Sequence, residues 1–424
     1  MSEAVVERNP GETRIAIRED GRTVEIHLLR SIIASGVGAV YLARTLRVEA
    51  GIGAFLDIGA SRPAFLPETT GRCVEGSAVL VQVAKDPVAD KGPEVTQAVV
   101  LESPPLALTP SQPGISVSRK LPEAVRRRLR ERMRTIAGDG VLKPGVLVRS
   151  AVREDDDLAT IWGALKSEWS ALEARLGEKP PLRLRSAPDP VLSLLRRVRP
   201  ARLIVGDAAT AAKLRGFGAE PVEKIERPFE TLGVEDELLR AVAREVVIPG
   251  GRLVVDETEA LTAIDVNGAG DRLALCLEAA REIGRLIRLR DLGGTLVVDF
   301  PFSDARVRID AAIKDAVSGD PYPVDCLGWT RAGLYEMTRP RRGPSLAARV
   351  LDVPAARMTA ETLGLAALRA LARGEGGRLR LAAAPEIVAW LQGPGVAALA
   401  EAGREVALEA HPGYPRERFD VTRV

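Results

Sequence analysis

The chain has 424 residues, 46% of them hydrophobic, which predicts two to four globular domains with several cores. Its 60 basic and 58 acidic residues nearly cancel, so net charge alone indicates no class of partner. Cys73, Cys276 and Cys326 are scattered without CxxC spacing, which argues against a disulfide framework and against a thiolate zinc site within one chain.

The compartment follows from the same composition. The cysteine usage favours a reducing environment. The first residues lack a basic start followed by an apolar core, and no run reaches the roughly 18 apolar residues that a membrane span needs. We therefore expect a cytoplasmic protein without membrane insertion.

Short strands are predicted through the N-terminal quarter. Residues 13–18 and 23–29 alternate around Asp20-Gly21, a dipeptide that favours a tight turn, so they predict a hairpin. Glycine and proline then separate further strands, at residues 40–48, 53–58, 78–84 and 95–101. This density of strands predicts a small barrel.

Phe55 and Phe65 lie within that predicted barrel, in a chain with only 4% aromatic residues. An exposed ring that stacks on a base contributes roughly 1–3 kcal/mol and holds a strand without reading its sequence. Packing in the barrel core is the alternative, and spacing alone favours it.

Residues 119–134 predict a cationic helix, with six arginines from Arg126 to Arg134 against two glutamates. Val125, Leu129, Met133 and Ile136 form an apolar stripe on its other face. A solvated helix face explains this charge most simply. Further clusters of basic residues at positions 196–202 and 339–342 favour a cationic surface that contacts the phosphates of a nucleic-acid backbone.

The next apolar strand, KPGVLVRSA at residues 143–151, ends in Arg149 and Ser150. A guanidinium beside a hydroxyl can bind a terminal phosphate through charge-assisted hydrogen bonds, although this pair is common at strand ends. A helical arm is predicted at residues 155–176. Strands follow at residues 201–205, 221–224 and 246–249, with helices near residues 209–214 and 236–244.

Two aspartates end two short apolar strands that are joined by one helix. Asp265 follows residues 260–264, Asp299 follows residues 295–298, and residues 272–290 between them have helical spacing. A strand, helix, strand unit places its strands in parallel. If the strands are neighbours, the two aspartates stand roughly 5 Å apart, which suits a shared divalent cation.

Oxygen donors without nearby histidine or cysteine favour Mg²⁺ or Mn²⁺ over zinc. Asn267 faces the same side as Asp265 and can add an amide oxygen or orient a bound water. A turn or helix cap is the alternative role for an aspartate at a strand end. His27 and His411, the only histidines, are far apart in sequence, so we expect both to be structural and histidine catalysis to be absent.

Three motifs resemble the ribonuclease E/G family, in the family's order and spacing: ETEALTAIDVN at residues 257–267, RLRDLGGTLVVDF at residues 288–300 and GLYEMTRPR at residues 333–341. The resemblance implies that Asp265 and Asp299 bind magnesium and that Asn267 supports them. It implies cleavage of single-stranded RNA by water that the ion activates. Manganese is a substitute, and a bound divalent ion supplies hydroxide near neutral pH.

The segment GAVYLARTLRVEAGIGAFLDIGASRPAFLP at residues 38–67 resembles an S1 domain, an oligonucleotide-binding barrel embedded in the same family. By this resemblance Phe55 and Phe65 stack RNA and Lys91 makes a basic contact. The string at residues 143–151 resembles the family's 5′-sensor, which implies that Arg149 and Ser150 recognise a 5′-monophosphate.

The fold class implied is a multidomain α+β protein. Its expected parts are a ribonuclease H-like subdomain (residues 1–34 and 201–250), an inserted S1 barrel of the OB type (35–118), a 5′-sensor region (119–200), a DNase I-like catalytic subdomain (251–343) and a C-terminal helical region (344–424). That last region is rich in Ala, Leu and Arg and is too short and apolar to resemble the long disordered tail of the larger relatives.

Three departures from the family stand out. No cysteine follows residue 343, so a zinc-linked dimer is not expected, and a homo-oligomer without that link stays open. The loop after Asn267 is shorter than the family's. Pro301, Phe302 and Ser303 follow Asp299-Phe300 where relatives place another carboxylate, for which Asp304 is a shifted substitute.

The sequence thus predicts a magnesium-dependent endoribonuclease that cleaves single-stranded RNA and senses 5′-monophosphate. A catalytically weakened RNA-binding relative is the alternative, and the shortened loop motivates it. A magnesium phosphohydrolase acting on small molecules is a third interpretation, which the predicted barrel and the dispersed arginines disfavour.

Overall fold

The computed structural model describes residues 2–30, 36–67, 73–87, 91–138, 143–150, 152–215, 222–352, 356–374 and 377–423. Ala151, Pro221 and the expected boundary at residues 34–35 lie outside these ranges. In chain order the strands are β1 Ser2–Asn9, β2 Glu12–Glu19, β3 Arg22–Arg30, β4 Val40–Glu49, β5 Gly53–Asp57, β6 Ala64–Pro67, β7 Ala78–Lys85, β8 Glu94–Thr96, β9 Leu101–Ser103, β10 Leu106–Thr109, β11 Ile115–Val117, β12 Gly145–Val148, β13 Leu182–Arg185, β14 Arg202–Val205, β15 Val222–Lys224, β16 Glu245–Ile248, β17 Gly251–Glu257, β18 Leu261–Gly268, β19 Gly294–Asp299, β20 Asp325–Trp329, β21 Tyr335–Arg339, β22 Leu351–Asp352, β23 Arg357–Met358, β24 Leu379–Ala383, β25 Val406–Ala410 and β26 Phe419–Arg423.

The helices are α1 Glu123–Ala137, α2 Leu158–Glu173, α3 Pro190–Val198, α4 Ala208–Leu214, α5 Pro228–Thr231, α6 Val234–Val242, α7 Arg272–Leu289, α8 Arg306–Ser318, α9 Leu346–Val350, α10 Ala360–Arg373, α11 Pro385–Gln392 and α12 Val396–Glu401. The fold is mixed α+β, as expected. The chain divides into two compact units, one made of residues 1–33 and 200–424 and the other of residues 34–199.

The second unit contains a closed barrel. Its five strands follow the order β4-β5-β6-β8-β7, β4 pairs with β7 to close the ring, and β13 adds to the outside of β4. Ala54, Leu56, Ala64 and Leu66 alternate into its core. The barrel expected from the sequence is therefore confirmed, and its architecture is consistent with an S1-like fold.

One strand prediction in this unit was wrong. Residues 95–101 do not form one strand, because β8 ends at Thr96 in the barrel and β9 begins at Leu101 in a separate four-stranded sheet of order β11-β12-β10-β9. Residue spacing predicts a strand but does not indicate which sheet it pairs with. The division of this segment between two sheets could therefore not be predicted. Helix α2 packs against that second sheet through Leu158, Trp162 and Leu165.

The first unit begins with the predicted hairpin. Strands β2 and β3 pair antiparallel, and Asp20 and Gly21 both have positive φ at the turn between them. This hairpin joins β1, β14 and β15 in one sheet, so the N-terminal strands pair with a strand some 200 residues later, in the register Val5↔Ile204. The local sequence pattern predicts the hairpin. The pairing of β1 with β14 joins residues far apart in sequence, so no local pattern predicts it.

The six-stranded sheet of the first unit has the order β16-β17-β18-β19-β21-β20. Helices α7 and α8 pack together, and the apolar side of α7, including Cys276, Ile283 and Ile287, lies in one core with inward strand residues such as Ile264 and Val298. That core also contains Val5 and Ala16 of the N-terminal sheet. The helices therefore occupy one face of the six-stranded sheet.

The C-terminal region is not only helical, which corrects the expectation for residues 344–424. Helices α10 and α11 pack against a three-stranded sheet of order β25-β24-β26, in which β24 runs parallel to β25 and antiparallel to β26. Abundant Ala and Leu predict helix, but Leu379, Leu381 and Ala383 alternate into this region's own core. Helix propensity is a weak prior that such packing overrides.

Candidate active site

Asp265 and Asp299 lie side by side on the open face of the six-stranded sheet. Strands β18 and β19 pair in parallel with Asp265 directly opposite Asp299, so the predicted pairing is confirmed. Both side chains are exposed, whereas their strand neighbours Ile264 and Val298 are buried on the helix-covered face. Neighbouring strands are about 4.8 Å apart, so one strand spacing separates the two aspartate backbones.

Asn267 belongs to the same cluster. It follows Asp265 by two residues, so both side chains project from the same face of β18. The Asn267 Nδ2 donates a hydrogen bond to Asp265 Oδ2 over 2.5 Å. This contact fixes the orientation of one carboxylate and leaves Asp265 with further acceptor capacity.

Two glycines fix the end of β18 beside the site. Gly251 and Gly268 are register partners in β17 and β18. A Cβ at Gly251 would lie 2.1 Å from the carbonyl oxygen of Asn267, and one at Gly268 would lie 2.4 Å from that of Gly250. Only glycine permits this approach, so the backbone that carries Asn267 is tightly confined.

The crossover from β18 to β19 is short at its start. Strand β18 ends at Gly268, and Asp271 caps helix α7 by accepting hydrogen bonds from the backbone N–H groups of Leu273 and Ala274. The reduced loop after Asn267 that the sequence indicated is thus a three-residue link from strand to helix. A capping aspartate favours such an abrupt helix start.

A third acidic ligand does not join the pair. Across the described ranges no group of three or more His, Cys, Asp or Glu side chains lies close enough to hold a metal ion, so Asp304 is not brought to Asp265 and Asp299. On the same open face, Asp256 is held by the Arg244 guanidinium at 2.6 and 2.8 Å, and this hydrogen bonding keeps the pKa of the Asp256 carboxyl below its ordinary value. Asp256 therefore has an arginine partner, whereas the partner of Asp265 is the neutral amide of Asn267.

The donor set fits a hard divalent cation. It consists of carboxylate oxygens, with an amide beside them, and contains no nitrogen or sulfur ligand of the kind zinc prefers. Mg²⁺ typically binds through one or two carboxylates and keeps several waters, so two facing carboxylates suffice for it.

A cleft of about 260 Å³ adjoins Asp299, and the sequence did not predict it. It is lined by Asp299, Phe300, Pro301, Phe302, Ser303, Arg306, Trp329, Ala332 and Gly333. The segment Pro301-Phe302-Ser303 forms one wall. The signal that could have found it is the two phenylalanines that closely follow the aspartate.

Phe55 and Phe65 face outward from the barrel. They are register partners in β5 and β6, with ring centroids 5.5 Å apart, and the Arg47 guanidinium lies 4.9 Å from the Phe55 centroid. Both rings are half-buried, while the flanking residues of each strand fill the core. Lys91 is exposed and makes no hydrogen bond, ion pair or ring contact with either phenylalanine within the described residues.

Arg149 and Ser150 follow the end of β12, at the four-stranded sheet. The Arg149 Nη2 donates to the carboxylate of Glu102 on β9, across the intervening strand β10. Ser150 is exposed. The arginine at the predicted phosphate site is therefore engaged by a carboxylate from a strand 47 residues away in sequence.

The cationic helix is partly neutralised. Leu129 and Met133 of α1 are buried, as the apolar stripe predicts. Three of its arginines have carboxylate partners: Arg126 and Arg130 pair with Glu123, and Arg128 pairs with Glu154. This pairing reduces the positive field that the sequence indicated.

The predicted phosphate-contacting arginine cluster at residues 339–342 was wrong for Arg339, which is buried. Strand β21 alternates, and Arg339 falls on its buried face, 3% exposed, with Nε 3.1 Å from Asp320 Oδ2 and Nη1 2.7 Å from Asp291 Oδ1. Buried charges require such partners. Arg341 and Arg342 remain exposed.

Of the histidines and cysteines, Cys276 contacts the cleft wall, since its Sγ lies 3.8 Å from the carbonyl oxygen of Pro301. His27 and His411 each lie 2.8 Å from a glutamate two residues earlier, and His411 stacks on Tyr414. Cys73, Cys276 and Cys326 are free thiols, and burial raises the pKa of each. No helix in the described part of the chain is both long and apolar enough to cross a membrane.

Comparison with known proteins identifies a family. The model of the Ribonuclease E/G family matches residues 101–342. Ribonuclease G of Salmonella typhimurium (strain SL1344) is 31% identical, and that of Escherichia coli (strain K12) is 30% identical, each over 99% of this chain and 99% of the relative. Ribonuclease E of Escherichia coli (strain K12) is 28% identical over 79% of this chain but only 36% of its own length.

Proposed function

Because this chain belongs to the ribonuclease E/G family and is an endoribonuclease of RNA processing or decay, we propose that it hydrolyses single-stranded RNA with a magnesium ion. Asp265 and Asp299 would hold the ion, and Mn²⁺ would substitute for it. The observation that carries the proposal is the direct register of these two exposed carboxylates on adjacent parallel strands.

The bound ion would supply hydroxide near neutral pH and offset charge on the scissile phosphate. The protein's own contribution is orientation. Asn267 holds the Asp265 carboxylate through a hydrogen bond of 2.5 Å, and residues that orient metal ligands matter nearly as much as the ligands. The exposed position of Asp265 and Asp299 on an uncovered sheet face leaves room for a polymer strand.

Binding of the RNA strand is assigned to the barrel. The outward rings of Phe55 and Phe65 offer a stacking surface that Arg47 extends with a guanidinium. Lys91 would add a phosphate contact. Aromatic stacking beside dispersed cations holds single strands with little sequence preference.

Recognition of a 5′-monophosphate is assigned to Arg149 and Ser150. A guanidinium and a hydroxyl on consecutive residues can donate several hydrogen bonds to one phosphate. Glu102 now occupies the Arg149 guanidinium, so a phosphate would have to replace that carboxylate. The three free thiols agree with a reducing compartment, for which we propose the cytoplasm.

A catalytically weakened RNA-binding relative is the second candidate. The observation that favours it is that only two carboxylates meet at the site within the described residues, with Pro301 and Phe302 where the family resemblance implies another. Such a protein would keep the barrel surface and turn over slowly.

A cleavage assay separates the two candidates. Purified wild type, Asp265→Asn and Asp256→Asn would be incubated with single-stranded RNA and Mg²⁺, using 5′-monophosphate and 5′-hydroxyl substrates in parallel. The nuclease proposal expects cleavage that Asp265→Asn loses and that Asp256→Asn keeps, because Asp256 lies on the same face but pairs with Arg244. RNA binding without cutting by all three proteins would favour the weakened relative.

A further inference from the structure

The cleft beside Asp299 has a composition that the metal site alone does not explain. One wall is the segment after β19, including Phe302, and the other comes from Trp329 and from Gly333 in the link between β20 and β21. Arg306, the first residue of α8, completes it. Asp299 belongs both to the cleft and to the aspartate pair, so whatever enters the cleft lies next to the reaction centre.

Phe302 is exposed to an unusual degree for a phenylalanine. Its relative exposure is 69%, while Phe300, two residues earlier, is 6% exposed and already fills the core. No ring or cation contact holds Phe302 among the described residues. An exposed large apolar side chain at the rim of a pocket is informative because core packing does not account for it.

The opposite wall is a fixed aromatic and cationic surface. Trp329 packs against Phe300 at 5.9 Å and against Tyr335 at 5.3 Å between ring centroids. The Arg306 guanidinium lies 5.1 Å from the Trp329 centroid, and no described carboxylate forms an ion pair with it. A guanidinium placed this way presents a flat face for stacking and free donors for a phosphate oxygen.

We propose that this cleft binds the base of the nucleotide directly flanking the scissile phosphate, with Phe302 as the stacking ring and Arg306 as the contact to the adjoining phosphate. The proposal rests on the proposed nuclease function and names a subsite of the same centre. A volume of about 260 Å³ lies below the roughly 300–1,000 Å³ of pockets for drug-sized ligands, so it suits one base better than a larger ligand.

Charge favours a base over a phosphorylated small molecule. The cleft carries one cation, Arg306, and one anion, Asp299, so its charges nearly cancel where a ligand would sit. A neutral, flat and π-rich group matches aromatic walls, and its phosphate can stay at the Arg306 edge. Binding at this position would orient the RNA strand for hydrolysis, which raises the rate by positioning.

The test uses a short single-stranded RNA with one cleavage site and a series in which each nearby nucleotide in turn lacks its base. With Mg²⁺ and wild type, removal of the flanking base should lower kcat/KM by about 5- to 150-fold, the range that loss of one base stack gives. Phe302→Ala should show a similar loss with the intact RNA. For Phe302→Ala, removal of that base should leave kcat/KM unchanged.

Two variants control the interpretation. Phe302→Trp keeps a stacking ring and should retain the dependence on the flanking base. Val247→Ala removes another exposed apolar side chain, 87% exposed on the edge strand β16, and should behave as wild type. Arg306→Met should lower kcat/KM even for RNA that lacks the flanking base, because its contact is to phosphate.

Failure of the subsite and failure of the nuclease are separated by a binding measurement. The affinity of the full-length Asp265→Asn protein for the same RNA series is measured with and without Phe302→Ala. A base-removal penalty at one position that disappears with Phe302→Ala supports the subsite, whether or not wild type cleaves. Equal affinity or rate for every RNA of the series, or a penalty that persists in Phe302→Ala, overturns it.

Discussion

The hydrogen bond from Asn267 to Asp265 would orient a carboxylate that we propose as a metal ligand. Asn267→Ala removes this donor and leaves both aspartates of the pair in place. We therefore expect metal affinity or activity to fall about 10- to 100-fold, the usual effect of losing an outer partner of a metal ligand. The cleavage rate as a function of Mg²⁺ concentration measures it. Unchanged magnesium dependence in a folded variant would contradict this role.

If Arg149 binds a terminal phosphate as proposed, Glu102 would compete with that phosphate for its guanidinium. Glu102→Gln removes the competing charge at an exposed ion pair, where the stability contribution is small, about 0–1 kcal/mol. We expect KM for 5′-monophosphate RNA to fall several-fold while KM for 5′-hydroxyl RNA stays the same. Arg149→Ala should abolish the difference between the two substrates. An equal response of both substrates to Glu102→Gln would show that Arg149 reads no terminal phosphate.

The sequence predicted the aspartate pair, but it did not predict the partner of Arg149 or the burial of Arg339. Asp265 and Asp299 could be found because each ends a strand with a helix between them, and parallel pairing then follows from general rules. The Arg149 to Glu102 contact joins distant segments, so no local pattern indicates it. Arg339 looked like part of a surface cluster until the alternation of its strand placed it inside.

At the scale of single strands, two adjacent residues of β6 should affect different properties: one should affect RNA binding and the other the stability of the barrel. Phe65 faces outward and Leu66 inward. Phe65→Ala should weaken binding of single-stranded RNA by about 1–3 kcal/mol with little change in unfolding. Leu66→Ala should lower the free energy of unfolding by about 2–5 kcal/mol, because it leaves a cavity in the barrel. Fluorescence anisotropy and urea unfolding measure these effects. RNA affinity unchanged in Phe65→Ala would remove the barrel ring from the binding surface.

Strand β21 is held to its surroundings by a buried charge. Arg339 bridges Asp320 and Asp291, and Asp320 is itself almost fully buried. Arg339→Met removes the guanidinium that forms the ion pair with the buried Asp320 carboxylate and should cost about 3–5 kcal/mol of unfolding free energy. Arg342→Met, which changes an exposed arginine three residues later, is the control and should cost far less. Equal urea midpoints for both variants would mean that the ion pair contributes no stability.

Whole elements were predicted best where their signals are local. The β2–β3 hairpin has its Asp-Gly turn, and α2 has its apolar spacing, so both could be found from the sequence. The short strand β6 and the division between β8 and β9 could not, because three- and four-residue strands carry little periodicity. In the C-terminal region, helical composition concealed β24.

At the scale of the molecule, the six-stranded sheet and the N-terminal sheet share one core, and within the N-terminal sheet β1 pairs with β14 some 200 residues later. The density of short strands predicted the barrel, and the family resemblance added its S1 type and its insertion in the chain. The structure adds the cleft beside Asp299, which depends on two segments of the chain, residues 299–306 and 329–333, meeting in space. Such convergence is a property of the fold and has no signature in any single segment.

The central claim is that Asp265 and Asp299 act as one unit on one ion. The most direct measurement is the RNA cleavage rate of wild type, Asp265→Asn, Asp299→Asn and the double variant, at Mg²⁺ concentrations that keep the single variants measurable. Residues that act together are strongly non-additive, so the double variant should be about as slow as the slower single variant. Two results would contradict a shared ion: a rate loss in the double variant equal to the product of the two single losses, or an Asp299→Asn variant that cleaves at the wild-type rate.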